Sequence, residues 1–245
     1  MKFTKMEGLG NDFVVVECVD VSPTDVRRWC DRRRGIGADG VLAVDDTPTM
    51  RYWNADGSVA EMCGNGLRCV ARYATQRGWA AAGEWFDVVT PVGPRRVRVD
   101  DQVITAEIGR VTTGAVVTID GMEFRQASIG NPHAVALVSD PDAVDVTGIG
   151  SRVSSDPTFP EGANVEFAAP VETDALRLRV WERGVGETLA CGSGMVVAAA
   201  VVGEGRPGPI RVTVPGGEAI VHFEEGSGFL TGPAVAVFTG EWAQG

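Results

Sequence analysis

The 245 residues carry 33 acidic and 22 basic side chains, a net charge of -11, with 44% hydrophobic residues. That balance excludes disordered and fibrous chains and argues against a nucleic-acid binder, which would show a basic stripe. The longest unbroken apolar run, "MVVAAAVV" at 195–202, is too short to span a bilayer, so no membrane role is expected.

In chain order, "MKFTKMEGLG" lacks the apolar centre of a signal peptide, and a cytoplasmic location is expected. "FVVVECV" (13–19) reads as a strand. Ser22-Pro23 opens a helix, with Ser22 as N-cap, Pro23 at the first position and Asp25 facing back. Gly35 is its expected stop, which makes "RRR" (32–34) the solvated end of that helix. "GIGADG" (35–40) spells a dinucleotide fingerprint, but it follows a helix and leads into the strand-like "VLAV", the reverse of the context that motif needs. After Cys63, residues Leu67, Val70, Ala71 and Ala74 fall on one helical face, with Gly78 as the stop. "VVTPVG" (88–93), "RRVRV" (95–99) and "VITAEI" (103–108) read as strands, and "RVTTGAV" (110–116) as a loop marking the domain boundary. Further strands are "AVALV" (134–138), "LRLRVW" (176–181), "IRVTV" (210–214) and "AIVHF" (219–223). The run after Cys191 is apolar all round, a helix wrapped by its sheet that stops at Gly203. "AVAVFTGEW" (234–242) is expected to return to the first half.

Cysteine and lysine usage narrows the chemistry. The five cysteines (Cys18, Cys30, Cys63, Cys69, Cys191) are an odd number without secretory context, so no disulfide framework is expected. No Cys-x2-Cys pair occurs, and His133 and His222 are the only histidines, so no metal site is expected. The only lysines are Lys2 and Lys5. Amino-acid chemistry here is therefore expected to run without pyridoxal phosphate.

The chain is also written twice. "LGNDFVVV" (9–16) matches "IGNPHAVA" (129–136), and "GADGV" (37–41) matches "GANVE" (162–166). "WNADGSVAEMCGNG" (53–66) matches "WERGVGETLACGSG" (181–194), with Trp53 and Trp181 each ten positions before a cysteine. Matches in the same order imply a duplicated α/β unit with approximate two-fold symmetry. The halves are expected at 1–113, completed by 232–245, and at 114–231.

Each cysteine precedes Gly-polar-Gly at a helix start. Glycine lets a ligand approach the backbone, and the unpaired N–H groups of the first turn favour a carboxylate. The same terminus activates a thiol. A buried, inert cysteine is the alternative for either motif alone. Two in matched places suit a racemase, which needs a base on one side of a carbon and an acid on the other.

"GLGNDF", "NADGS", "MCGNGLRC", "GNPH", "FPEGANVEF" and "ERGVGETLACGSG" closely resemble the diaminopimelate epimerase family. The resemblance implies an α+β fold of two pseudo-symmetric halves, each a mixed sheet wrapped round a central helix, with the active site in the cleft. It implies cofactor-independent interconversion of LL- and meso-diaminopimelate, for lysine and cell-wall synthesis, by a homodimer. By motif, Cys63 and Cys191 resemble the acid/base pair, and Gly64, Asn65, Gly192 and Ser193 the backbone cradle. Asn11, Asn54, Asn131, Asn164, Glu182 and Arg183 resemble the substrate-binding shell, with His133 and Glu182 tuning the thiols. Turn roles for Asn11, Asn54 and Asn131, strand entry for Asn164, a core role for His133 and an Arg183–Glu187 ion pair are the structural alternatives. Gly40 stands where several members carry Gln. The rival readings are a proline or hydroxyproline epimerase, or an amino-acid binding protein without catalysis.

Overall fold

The computed structural model describes residues 1–17, 20–60, 62–203 and 208–243; Cys18 lies outside them. The chain forms two compact units, residues 1–106 with 232–245, and residues 107–231.

Unit 1 begins with β1 (Lys2–Gly8), β2 (Asn11–Val16), α1 (Pro23–Cys30), β3 (Gly40–Ala43), β4 (Arg51–Asn54) and β5 (Val59–Ala60). These strands form a sheet in the order β18-β1-β2-β3-β4-β5, where β18 (Val235–Glu241) comes from the far end of the chain. Next come α2 (Gly64–Gln76), β6 (Trp85–Thr90) and β7 (Gly93–Asp100), and β8 (Val103–Arg110) leads on into unit 2.

Register decides what each sheet face carries. Phe13 pairs with Gly40, and Gly40 with Asn54, so these three share a face. The two-residue period adds Asn11, Leu42 and Tyr52 to it. This face meets α2: Leu42 Cδ2 lies 3.1 Å from where a Cβ on Gly66 would stand. The other face carries Val14, Val16, Val41, Ala43 and Trp53, which pack on Val26 and Trp29 of α1.

Unit 2 contains β9 (Thr112–Ile119), β10 (Met122–Ser128), β11 (Pro132–Leu137), α3 (Val146–Ser154), β12 (Asn164–Glu172), β13 (Ala175–Glu182) and β14 (Gly186–Thr188). It continues with α4 (Gly192–Val202), β15 (Ile210–Val214), β16 (Gly217–Glu224) and β17 (Ser227–Pro233), which leads back to unit 1. The strands run β17-β16-β15-β13-β12-β11-β10-β9, with β14 on β13. His133 pairs with Asn164 and Glu166 with Val180, so these share one face with Glu182, two residues beyond Val180. That face lies under α4. The opposite face carries Ala134, Ala136, Val165 and Phe167, packed on Val146 and Val153 of α3 with Trp181 alongside. Burying each large apolar side chain here contributes about 1.5–3 kcal/mol. Each unit is thus a mixed sheet between a central helix that starts at a cysteine and an outer helix. Each matched tryptophan, Trp53 and Trp181, packs toward the outer helix, and the next residue, Asn54 or Glu182, turns to the central one.

Four expectations change. Residues 110–116 are not a loop: β8 runs to Arg110 and β9 starts at Thr112. β9 is an exposed edge strand, so it lacks the alternation that marks a half-buried one. "VVTPVG" is broken at Pro91, where β6 turns back into β7 with Thr90 opposite Gly93. The first helix ends at Cys30, because the Asp31 carboxylate takes the N–H groups of Arg33 and Arg34 in a turn. Finally, the match of "GADGV" to "GANVE" is out of step by one. Gly40, opposite Phe13, is the counterpart of Asn164, opposite His133.

Candidate active site

In unit 1, Cys63 is the N-cap of α2, with extended backbone at φ -146 and ψ 113. Its sulfur accepts from Gly66 N–H at 3.4 Å and donates to Asn11 Oδ1 at 3.8 Å. Asn11 is oriented for that contact because its Nδ2 donates to Asp39 Oδ2 at 3.1 Å. Asp39 belongs to a charged network. Arg32 pairs with both Asp39 (2.7 Å) and Asp12 (2.8 Å), and Asp12 also pairs with buried Lys5 (2.6 Å). Burial acts against ionised Asp12, yet the hydrogen bonds from Arg32 and Lys5 hold its pKa well below the usual carboxylate range. Burial pushes Asp39 the other way, upward. One arginine of the basic run is therefore a structural tie, and not simply a solvated charge.

Asn65 is buried, and its side-chain oxygen accepts from Arg68 at 2.9 Å. Arg68 is fully buried and also donates to the carbonyls of Gly64 (3.3 Å) and Pro233 (3.2 Å). The first turn of α2 is thus held from beneath by a guanidinium. Asn54 sits in the turn between β4 and β5, where its Nδ2 donates to Ser58 Oγ at 3.0 Å. It still shares the sheet face of Asn11.

In unit 2, Cys191 caps α4 with φ -117 and ψ 113, and its sulfur lies 3.4 Å from Ser193 Oγ. Burial pushes its pKa well above the usual thiol value, and the nearby carboxylates of Glu182 and Glu166 push the same way. Glu182 accepts from Thr188 Oγ1 at 2.5 Å and also hydrogen-bonds Cys191. Burial raises the Glu182 pKa too. His133 is fully buried, with Nδ1 2.7 Å from Glu166 Oε1 and Nε2 3.2 Å from Asn131 Oδ1. Asn164 places its Nδ2 3.5 Å from the same Nε2, and its Oδ1 accepts the main-chain N–H of Arg183 at 2.9 Å.

Arg183 is exposed, and its guanidinium donates to Glu161 O at 2.6 Å. Gly162, at φ +72, passes beneath it; a Cβ there would lie 2.9 Å from Arg183 Cδ. The alternative ion pair with Glu187 does not form, since Glu187 pairs with Arg179 at 2.7 Å. A cavity of about 240 Å³ borders these loops, lined by Ser128, Pro132, Phe159 and Glu161 among others. In unit 1, Cys63, Gly64 and Asn65 start α2 and Asn11 contacts the Cys63 sulfur, with Asn54 on the same sheet face but bonded to Ser58. In unit 2, Cys191, Gly192 and Ser193 start α4 beside Glu182, and His133 meets Asn131 and Asn164, whose amide takes the Arg183 N–H. Sequence reasoning missed Asp39, Arg68, Glu166 and Thr188, which hold these groups in place. The spacing of Asn65 and Arg68, three apart on one helix, is a signal that could have found one of them. Among the described residues no cluster of His, Cys, Asp and Glu is arranged to hold a metal. No described helix is long and apolar enough to cross a membrane.

Solved structures share this architecture. A phenazine biosynthesis protein of the PhzF family from Bacillus anthracis aligns with a TM-score of 0.76 over 100% of this chain and 99% of its own, at 14% identity. A hydroxyproline epimerase from Agrobacterium vitis, with bound trans-4-hydroxy-L-proline, aligns at 0.67 over 98% and 90%, at 15% identity. In this chain each half of that fold carries a central helix capped by a cysteine. The family model for diaminopimelate epimerase matches residues 3–119 and 126–237. The diaminopimelate epimerase of Xanthomonas campestris pv. campestris is 39% identical over 100% of this chain and 97% of its own. That of Moorella thermoacetica is 40% identical over 99% of each. The chain belongs to the diaminopimelate epimerase family.

Proposed function

We propose that the protein interconverts LL- and meso-diaminopimelate by two-base proton transfer at the α-carbon, with Cys63 and Cys191 as the acid/base pair. The observation that carries this reading is a thiol at the N-cap of the central helix in each half. One cysteine, as thiolate, takes the α-proton. The electron pair spreads into the substrate carboxylate, where N–H groups of the first helical turns, from Gly64 and Asn65 and from Gly192 and Ser193, meet the growing charge. The other cysteine, as thiol, delivers a proton to the opposite face. Thiolate and thiol have then exchanged places, and the reverse reaction runs from that state. Glu182 and His133 set the protonation of Cys191. Asn11, Asn54, Asn131, Asn164 and Arg183 bind the amino and carboxylate groups. No cofactor enters the scheme. Family resemblance further supports a cytoplasmic homodimer.

The test is turnover of LL-diaminopimelate in heavy water. The product should gain deuterium at one α-carbon while remaining substrate stays mostly protonated; early labelling of both isomers would reject two bases. Cys63→Ala and Cys191→Ala should each cost about 10²-fold or more in epimerisation, the usual contribution of an acid–base group. Full activity in either variant, or faster turnover of proline than of diaminopimelate, would overturn the assignment.

A further inference from the structure

The two units repeat each other closely enough for unit 1 to serve as a control on unit 2. Phe13 on β2 faces Gly40, and His133 on β11 faces Asn164. Two residues further on, Val15 faces Leu42 and Val135 faces Glu166. Leu42 and Glu166 even meet the same point of their helices. Leu42 Cδ2 lies 3.1 Å from a Cβ built on Gly66, and Glu166 Oε1 lies 2.8 Å from one built on Gly194. Where unit 1 places Phe13 and Leu42, unit 2 therefore places a histidine and a carboxylate, both with 0% exposure.

The fold does not require that polar pair, because the same position closes with apolar side chains in unit 1. Burial makes the pair costly. Ions lose solvation, and replacing a buried pair with apolar residues is often neutral or stabilising. Glu166 Oε2 makes no hydrogen bond, a cost that leucine does not carry. The 2.7 Å contact shares one proton between His133 Nδ1 and Glu166 Oε1; with Glu166 as a carboxylate, which only accepts, that proton sits on Nδ1. Nε2, then bare, can accept from Asn164 Nδ2 at 3.5 Å, whereas Asn131 turns toward it an Oδ1 at 3.2 Å, which only accepts. The Asn164 amide is already oriented by the Arg183 N–H.

We propose that Glu166 is a positioning residue for the reaction at Cys191: it holds His133 with Nδ1 protonated, so that Nε2 accepts from the Asn164 amide. The proposal rests on the substrate-binding role given to Asn164 above. His133 and His222 are the only histidines, so protein labelled with ¹⁵N-histidine yields two ring systems. Wild-type His133 should show a slowly exchanging Nδ1–H. In Glu166→Gln that signal should shift or vanish while His222 is unchanged, and kcat/KM for LL-diaminopimelate should fall at least tenfold. Glu166→Asp should recover part of the loss. The double variant Glu166→Leu with His133→Phe, which copies unit 1, should melt no lower than wild type and be inactive. Wild-type turnover in Glu166→Gln, an unprotonated Nδ1 in the wild type, or a double variant that loses stability together with activity would each overturn the proposal. The ring signals need no substrate. If wild-type protein fails to turn over diaminopimelate, the functional reading falls alone and the ring signals still decide this one.

Discussion

Arg183 holds two positions at once. Its backbone N–H fixes Asn164, and its exposed guanidinium rests on the carbonyl of Glu161, an acceptor that a carboxylate can displace. Replacing the side chain should therefore leave Asn164 in place and remove only the guanidinium. Arg183→Met is expected to lower kcat/KM for diaminopimelate roughly a hundredfold, about 2–3 kcal/mol, and to leave residual proton exchange on a short amino acid without a second carboxylate nearly unchanged. Steady-state kinetics on both compounds checks this, and equal losses on both would reject a contact between Arg183 and the second carboxylate of diaminopimelate. The two sulfurs also differ in their surroundings. Cys63 is partly exposed, whereas Cys191 is 4% exposed, with its pKa raised by burial and by Glu182 and Glu166. A raised pKa means that the Cys191 thiolate appears only above the usual thiol value of about 8.5. Iodoacetamide at neutral pH should label Cys63 first, and Cys191 should follow as pH rises. Mass mapping of the adducts gives the order, and the reverse order would contradict this picture.

Among the elements, the hairpin of β3 and β4 shows how a family position can change its meaning. A Cβ on Gly40 would lie 2.4 Å from Trp53 O and 2.4 Å from the Tyr52 ring. The space a side chain would take is already filled, partly by backbone, so it cannot yield cheaply. Gly40→Gln should destabilise unit 1 by about 3 kcal/mol. Urea denaturation measures it, and an unchanged midpoint would show that the hairpin adapts. This packing was not legible in the sequence, because it depends on which residue of β4 faces which residue of β3. The central helices were legible: glycines after a cysteine, then an apolar pattern, mark a helix start. So was the Ser22 cap, whose oxygen accepts from Asp25 N–H at 3.1 Å. Helix α3 was not, since "VTGIGSRVS" is rich in weak helix formers. It forms because Asp145 caps it through Gly148 N–H at 2.9 Å and because Val146 and Val153 are buried. The site divides in the same way. Motifs locate the cysteines and asparagines, but Asp39, Glu166 and Thr188 act through strand register and long-range hydrogen bonds that spacing does not encode.

At the scale of the whole molecule, duplication explains both the economy of the sequence and its asymmetry. One plan serves twice, with Phe13 and Leu42 on the sheet beneath the first helix where His133 and Glu166 lie beneath the second. Unit 1 is discontinuous, and β18 completes its sheet by pairing antiparallel with β1, from Lys2 opposite Glu241 to Glu7 opposite Val235. Phe238 stacks edge-on against Phe3 at 5.9 Å, and Arg28 lies over the Trp242 ring at 5.5 Å. Removing residues 234–245 would bare the edge of β1 together with Phe3, a template for pairing between chains. The truncated protein should aggregate on expression or elute as soluble oligomers, whereas removal of 243–245 alone should be silent. Size-exclusion chromatography distinguishes these outcomes, and a well-behaved truncation at 234 would show that β18 is dispensable.

The same strand imposes an order on biosynthesis. A ribosome releases residues 107–231 as one continuous stretch before it reaches β18. The second unit can therefore finish folding while the first still waits for its outermost strand. Folding of that second unit also draws residue 107 and residue 231 into one compact body, which shortens the free chain that β18 must close over. The half of the protein translated first, the one that carries Cys63, is the half completed last.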